Sequence, residues 1–267
     1  MDTDTQIDYE VFGPDSGTPL LISTGTGLSW GIWGELAKVF AADGYRVICY
    51  DHRGIGASSR GTAEITTRAL AADARALLDA LGVGRAHVLG WSLGSCVAQE
   101  LALAHPERVA SLVLCNTWHR TSVYQRALFT PIRHLWSTGQ AELAWSALTA
   151  LCFSPELLDG PAFDATMAMV APALPSTRAH EQTVAEQWSA DLAHDSADRL
   201  ALISCPSLVV AGEQDLVTPA WQSEAVADLI PGAETAKLRG PGASHALAWE
   251  RADEFVRTVG GFLARHR

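Results

Sequence analysis

The sequence predicts one α/β domain with a mostly parallel central sheet and helices on both faces. Strand-like apolar runs alternate with segments of helical periodicity along the 267 residues, which is the pattern of parallel strands joined by helical crossovers. A serine flanked by glycines stands between one such strand and the helix after it, in the sequence GWSLG at 90–94. No linker-like or low-complexity stretch interrupts the chain, so a second independent domain is not expected.

The GWSLG segment joins a strand-like run at 86–89 to a helical pattern at 95–105. The backbone is strained on such a sharp strand-to-helix turn, and the flanking glycines leave room where a Cβ would clash. The hydroxyl of Ser92 would then point out above the sheet, which makes it a candidate nucleophile. A glycine-rich turn with a serine N-cap has the same letters, so the catalytic interpretation requires a base and an acid elsewhere.

Both of these partners follow later in the chain. Asp215 stands in the turn after a strand-like run at 207–211, and His245 follows the next such run, at 234–238. A serine, an acid and a histidine in this chain order differ from the orders found in chymotrypsin and in subtilisin.

On these motifs the chain is identified as a member of the α/β-hydrolase superfamily, whose nucleophile, acid and histidine follow one another in this order. Two further stretches add to the resemblance. DHRGIGAS at 51–58 is similar to the turn after the family's fourth strand, and IPGA at 230–233 resembles the lead-in to its eighth. Within the family, CNT at 115–117, CFSPE at 152–156 and GEQDLVTP at 212–219 look most like 3-oxoadipate enol-lactonases and their close relatives.

The resemblance implies the α/β-hydrolase fold, with a helical cap inserted between the family's strands six and seven. We expect a core made of residues 1–117 and 205–267 and a cap made of residues 118–204. The cap segment has no strand pattern, and its helical signals lie at 140–152, 162–170 and 180–193. Because insertions at the carboxyl ends of parallel strands line the ligand crevice, the cap should close over the nucleophile.

The predicted chemistry follows from the residue types. A serine hydroxyl becomes a competent nucleophile when an adjacent imidazole takes its proton, and histidine titrates in the range that this requires. His245 is the expected base, and Asp215 would accept a hydrogen bond from its other ring nitrogen and so fix the tautomer. Glu213 is close enough to Asp215 to be mistaken for the acid, but the resemblance favours Asp215. Asn116 occupies the alternative acid position of some relatives, and an amide cannot serve there as a charge partner.

The oxyanion of a tetrahedral intermediate needs hydrogen-bond donors placed where its charge develops. The backbone N–H of Leu93, at the start of the helix after the nucleophile, is one expected donor. The resemblance implies the backbone N–H of Thr26 as the second. Thr24 stands where many relatives carry a histidine, but this hole is built from backbone groups. We interpret Asp51 and Arg53 as a structural turn that braces the loop of Thr26.

Five residues are candidates for substrate binding. Gly25 precedes the expected donor, Trp91 flanks the nucleophile, and Trp118 opens the cap. Tryptophans favour an apolar acyl or ring pocket, although packing of cap against core accounts for many of them equally well. Arg126 and Arg133 could bind a substrate carboxylate, as an enol-lactone acid requires, and a solvated helix face would explain them too.

Bulk composition excludes several classes of function. The net charge of −11, from 30 acidic and 19 basic residues, argues against binding to nucleic acid or to anionic membranes. The five cysteines, an odd number mostly in apolar runs, are expected to be buried free thiols of a reducing compartment. No Cys or His pair has ligand spacing, so no metal is expected. No Gly-rich phosphate loop follows the first strand, and no organic cofactor is expected either. The first residues lack the features of a signal peptide and no run is long enough to span a membrane, so we expect a cytoplasmic enzyme.

The sequence therefore predicts a serine hydrolase that cleaves a small, largely apolar carboxylic ester or lactone through an acyl-enzyme. The same three residues would serve a carbon-carbon bond hydrolase or a thioesterase, and these alternatives stay open. A non-hydrolytic enzyme, such as a biosynthetic cyclase, or a small-molecule sensor would also fit this fold. The expected partner is a small-molecule substrate, and the oligomeric state is left open.

Overall fold

A seven-stranded sheet lies at the centre of a computed structural model of the protein, which describes residues 5–267. Its strands are β1 (Tyr9–Phe12), β2 (Thr18–Ser23), β3 (Tyr45–Tyr50), β4 (Ala86–Trp91), β5 (Val109–Cys115), β6 (Ser207–Gly212) and β7 (Glu234–Leu238). The spatial order is β1-β3-β2-β4-β5-β6-β7. Strand β1 is antiparallel to β3, and all other neighbours are parallel, so the predicted mostly parallel sheet is confirmed.

The parallel register gathers the candidate site at one edge of the sheet. Ser23, the last residue of β2, pairs with Gly90 near the end of β4. Their carboxyl ends therefore lie side by side, and the residues that follow them, Thr24 and Ser92, leave the sheet at the same place. This edge is where ligand crevices of open parallel sheets form.

Helices cover both faces of the sheet. They are α1 (Gly34–Ala42), α2 (Thr67–Ala80), α3 (Leu93–Ala104), α4 (Val123–Ser137), α5 (Ala141–Cys152), α6 (Pro155–Leu158), α7 (Phe163–Val170), α8 (Arg178–Ala193), α9 (Ala220–Leu229), α10 (Leu247–Glu250) and α11 (Ala252–Arg265). Successive side chains of a strand point to opposite faces. Leu20 and Ile22 accordingly belong to the apolar cluster that contains Phe40 of α1 and Phe255 of α11, whereas Leu21 packs with Leu70 of α2.

Helices α4 to α8 all lie between β5 and β6, the strands that the family order counts as six and seven. The three helices predicted in this segment are present with small changes at their ends, as α5, α7 and α8. Helix α4 has no counterpart among those predicted helices. Its interior Pro131 removes a backbone donor and argues against a helix, but a capping box between Ser122 and Gln125 and a buried apolar face stabilise it.

The division into a core and a cap stays a prediction, and the name cap is kept below for residues 118–204. The N-terminal residues 1–4, part of the stretch on which the expectation about a signal peptide rests, lie outside the described residues. Within residues 5–267, none of the helices has both the length and the apolar character that crossing a membrane requires.

Candidate active site

Ser92 stands alone between β4 and α3, in the strained turn that its motif predicts. Its φ is 55° and its ψ is −124°, a combination that costs on the order of 1–3 kcal/mol for a residue with a side chain. The turn also brings backbone segments very close together. A Cβ on Gly90 would lie 2.2 Å from the carbonyl oxygen of Gly94, and one on Gly94 would lie 2.0 Å from that of Ser23. The two glycines of the motif are therefore required by packing.

Ser92, His245 and Asp215 form a continuous hydrogen-bonded chain. Nε2 of His245 lies 3.1 Å from Oγ of Ser92, and Nδ1 of His245 lies 2.8 Å from Oδ2 of Asp215. All three residues are buried. This arrangement can take a proton from the hydroxyl and stabilise the resulting imidazolium. The structure thus brings together the three side chains that the sequence selected from distant positions.

Asp215 is held by its own turn. The backbone N–H groups of Val217 and Thr218 each donate to Oδ1 at 2.8 Å, and the Thr218 hydroxyl donates to Oδ2 at 2.8 Å. Three donors leave the carboxylate little freedom and keep Oδ2 directed at the imidazole. Sequence reasoning did not assign Thr218 this role. The signal was present, since a hydroxyl residue three positions after an aspartate in a turn is well placed to bond it.

His245 is held through its backbone. Its carbonyl oxygen accepts from Nε1 of Trp91 at 2.9 Å and from Nδ2 of Asn116 at 2.7 Å. The Trp91 ring also packs against the imidazole, with ring centroids 5.1 Å apart. Asn116, in the position where some relatives carry the acid, therefore lies at the site and supports the histidine with its amide.

Both expected oxyanion-hole residues lie beside the nucleophile. Leu93 is buried at the first position of α3, where unpaired N–H groups of a helix favour negative charge. In the opposite loop, a Cβ on Gly25 would lie 3.2 Å from Cβ of Ser92 and 2.6 Å from the Trp91 ring. Thr26 lines the same cavity as Ser92. The donor roles of Leu93 and Thr26 stay predictions.

Of the two residues expected to brace this loop, Asp51 bonds its end, whereas Arg53 pairs with α2. Oδ1 of Asp51 accepts from the backbone N–H of Trp30 at 2.6 Å. Burial raises the pKa of Asp51 to about 6, although hydrogen bonds from Trp30 and Ala57 oppose the shift. Arg53 forms a buried two-point ion pair with Asp73, at 2.6 and 2.5 Å. Neither side chain lines the cavity that opens at Ser92.

The cavity above Ser92 has a volume of about 60 Å³ and mostly apolar walls. Core and cap both contribute to it. Its lining residues are Thr26, Leu28, Ile32, Trp91, Ser92, Trp145, Leu148, Cys152, Phe153, Met169, Val170, Trp188, Val217, His245, Ala246 and Trp249. Of its four tryptophans, Trp249 was not singled out from the sequence, although its position four residues after His245 was a usable signal. None of the described residues in this lining is a lysine or an arginine.

Three of the candidate binding residues lie away from this cavity. Trp118 is buried inside the cap, with its ring 6.0 Å from that of Phe129 and 6.1 Å from that of His194. Arg126 and Arg133 are exposed on α4. The structure therefore unites Gly25 and Trp91 with the triad and leaves Trp118 and both arginines outside the lining.

Other reactive side chains are dispersed. In the part of the chain that the structure describes, no three His, Cys, Asp or Glu side chains form a group able to hold a metal ion. All five cysteines are free thiols. Cys49, Cys96 and Cys115 are buried, as predicted, whereas Cys152 and Cys205 are half-buried.

Comparison with known proteins agrees with the fold. A family model described as "alpha/beta hydrolase fold" matches residues 18–252. A protein of Azorhizobium caulinodans named "Putative carbamate hydrolase RutD" is 32% identical over 97% of this chain and 95% of its own length. Its namesake in Variovorax paradoxus is 33% identical over 96% of each chain. The crystal structure of the enol-lactonase from Burkholderia xenovorans superposes with a TM-score of 0.89, at 26% identity and 98% coverage of both chains. The predicted resemblance is confirmed: the chain belongs to the α/β-hydrolase family.

Proposed function

We propose that the protein is a serine hydrolase that cleaves small, neutral carboxylic esters or lactones through an acyl-enzyme. The main support for this proposal is the hydrogen-bonded chain from Ser92 Oγ through His245 to Asp215, with distances of 3.1 and 2.8 Å. It opens into a mostly apolar cavity. A nucleophile, a base and an orienting acid at a strained turn are the parts that acyl transfer requires.

The reaction begins when Ser92 Oγ attacks the substrate carbonyl carbon and His245 Nε2 takes the hydroxyl proton. The carbonyl electron pair moves to oxygen, and the backbone N–H groups of Leu93 and Thr26 would donate hydrogen bonds to the resulting oxyanion. Collapse of this intermediate breaks the carbon–oxygen bond of the ester, and His245 returns the proton to the departing alkoxide. Water then attacks the acyl-enzyme by the same path and releases the acid. For a lactone, the alcohol stays attached to the acyl group.

The lining favours a neutral substrate. A carboxylate in an apolar cavity needs a cation or several donors to offset the water that it loses. The described lining offers neither Lys nor Arg, and Arg126 and Arg133 lie outside it. A lactone that carries a free carboxylate is therefore a poorer fit than its neutral analogue. The volume of about 60 Å³ further favours a small acyl group.

Carbamate hydrolysis is a second candidate function. It rests on the two RutD relatives, which are 32% and 33% identical over nearly the whole chain. The same serine would attack a carbamate carbonyl and form a carbamoyl-enzyme. Because nitrogen donates electrons to that carbonyl, this intermediate would lose its acyl group to water more slowly than an ester-derived one.

The cap is proposed to cover the nucleophile as a separate unit of residues 118–204. Trp145, Leu148, Met169 and Trp188, which line the cavity, all belong to it. Through them the cap would exclude water and select the acyl group.

A fluorophosphonate probe on the full-length chain tests the nucleophile without knowledge of the substrate. We expect one adduct by intact mass, located on Ser92 by peptide mapping, and none in Ser92→Ala. A panel of neutral lactones, carboxylated lactones, aryl esters, carbamates, thioesters and vinylogous diketones would then rank the substrate classes. Fast turnover of an ester or lactone supports the proposal. Labelling at another residue, or turnover confined to thioesters or diketones, would overturn it.

A further inference from the structure

The loop of Thr26 consists of residues 24–29, between β2 and the next helical turn. Cap helix α8 holds this loop by two hydrogen bonds. The Thr26 hydroxyl donates to Oδ2 of Asp191 at 2.7 Å, and the backbone N–H of Gly27 donates to Oε1 of Gln187 at 2.8 Å. Asp191 and Gln187 are four positions apart, so both acceptors stand on one face of the helix. They accept hydrogen bonds from two consecutive residues of the loop, Thr26 and Gly27.

A third bond from the cap reaches the same loop. The backbone N–H of Ser29 donates to the carbonyl oxygen of Ala173, in the helical turn after α7, at 3.0 Å. The core holds the two ends of the loop instead. Nε1 of Trp33 donates to Oγ1 of Thr24 at 3.2 Å, and Asp51 accepts from Trp30. The centre of the loop is therefore bonded to the cap and its ends to the core.

Both acceptors on α8 are almost completely buried: Gln187 is 0% exposed and Asp191 is 1% exposed. A buried carboxyl is expensive to maintain unless it is protonated or well bonded. Burial raises the pKa of Asp191 to about 8, with the Thr26 hydrogen bond acting in the opposite direction. A leucine would pack at this position without that cost, but it would have no acceptor for Thr26.

We propose that Asp191 and Gln187 are positioning residues that set the place of the Thr26 backbone N–H in the oxyanion hole. The cap then completes the catalytic apparatus in addition to covering it. The loop lies close to the nucleophile, because a Cβ on Gly25, the residue before Thr26, would lie 3.2 Å from Cβ of Ser92. This inference rests on the proposed function, in which Thr26 supplies one of the two donors.

The test separates binding of the transition state from binding of the ground state. Asp191→Leu and Gln187→Met each replace one acceptor with an apolar group of similar size. For each variant we would measure kcat and KM on the best ester of the panel. We would also measure the affinity for the matching trifluoromethyl ketone, whose adduct with Ser92 carries an oxyanion, and for the corresponding carbinol, which carries none. Titration with the fluorophosphonate probe would give the concentration of active enzyme for each variant.

We expect kcat and ketone affinity to fall together by about 10- to 100-fold, because a displaced oxyanion donor costs in this range. KM and carbinol affinity should stay within about twofold. Asp191→Asn keeps an acceptor for Thr26 and should restore most of the lost kcat. Ser189→Ala is the matched control, since this half-buried serine on the same helix donates within the helix, to the Ala185 carbonyl.

Thr26→Val removes the same hydrogen bond from the other side and covers the case in which Asp191→Leu does not fold. Combined with Asp191→Leu, it should lower kcat little more than either change alone. The inference is overturned if Asp191→Leu or Gln187→Met keeps kcat and ketone affinity within about twofold of wild type. It is also overturned if ketone and carbinol affinities fall equally. A wild-type enzyme that the probe leaves unlabelled at Ser92 would instead refute the proposed function.

Discussion

Oδ2 of Asp215 lies 2.8 Å from Nδ1 of His245, whereas Glu213, two residues earlier, bonds Arg239 at 3.2 Å and the backbone N–H of Gly240 at 3.0 Å. Asp215 is 2% exposed, but Glu213 is exposed on the surface. Two carboxylates in one turn thus have different partners. Of the two, Asp215 is the one that bonds the imidazole.

The triad should behave as one unit. We expect Ser92→Ala and His245→Ala each to lower kcat by on the order of 10⁴- to 10⁶-fold, and the double variant to be little worse than either. The reason is that neither side chain works without the other. Steady-state kinetics of the three variants, with circular dichroism to confirm folding, checks this. Single effects that multiply in the double variant would contradict the assignment.

The choice between the two acids has its own test. Asp215→Asn should lower kcat by about 10⁴-fold, because an amide favours the wrong imidazole tautomer. Glu213→Gln is the matched control, and we expect it to stay within about twofold of wild type, as surface charges contribute little. Comparable losses in the two variants would mean that Asp215 is not the acid.

The cavity wall should discriminate between substrates of different size. Trp145→Ala should reduce kcat/KM for a bulky apolar ester by about 10-fold or more while changing that for an acetate ester little, since one apolar contact is worth about 1–3 kcal/mol. Trp118→Ala, a buried tryptophan outside the lining, should instead lower the free energy of unfolding by about 3–5 kcal/mol. Urea unfolding and kinetics on both esters distinguish the two effects. Equal selectivity changes in both variants would contradict the assigned lining.

The exposed arginines of α4 should not matter for substrate charge. Arg126→Ala and Arg133→Ala are expected to leave the ratio of kcat/KM for a carboxylated lactone and its neutral analogue within about twofold, because solvated charges outside the cavity interact weakly with its contents. Wild-type enzyme should prefer the neutral lactone. Selective loss of the carboxylated substrate in either variant would restore a binding role for that arginine.

The buried Asp191 should give the protein a pH-dependent stability. Its folded-state pKa is raised to about 8 by burial, against an ordinary value of about 3.9. The folded chain therefore binds the proton of Asp191 more tightly than the unfolded chain does. This tighter binding stabilises the fold fully below about pH 4, and the stabilisation is lost as the pH rises through about 8. Asparagine does not titrate. Between pH 5 and pH 8 the free energy of unfolding of wild type should therefore fall relative to that of Asp191→Asn. The difference should grow by at most about 1.4 kcal/mol per pH unit.

Urea unfolding at several pH values measures this difference, and Ser189→Ala serves as the control. The raised pKa of Asp51 is common to all of these proteins and cancels in the comparison. A stability gap that stays constant with pH would show that Asp191 titrates alike in the folded and unfolded chains.

The sequence alone was sufficient to select Ser92, Asp215 and His245. Each stands in a short motif directly after a strand, where neighbouring residues dictate the backbone turn. In a parallel sheet the carboxyl ends of strands converge, so residues far apart in the chain meet at one edge. The fold class and the hydrogen-bonded grouping of these three side chains follow from such local signals.

Tertiary packing alone decided which side chains line the cavity. On α4, burial of Phe129, Ile132 and Trp136 against the rest of the cap rotates Arg126 and Arg133 to the solvent side. Spacing along the sequence predicts that these two arginines share a face, but not whether that face meets the substrate. That choice depends on how the helix packs against its neighbours. The bond from Thr26 to Asp191 likewise joins residues 165 positions apart, and no local motif encodes it.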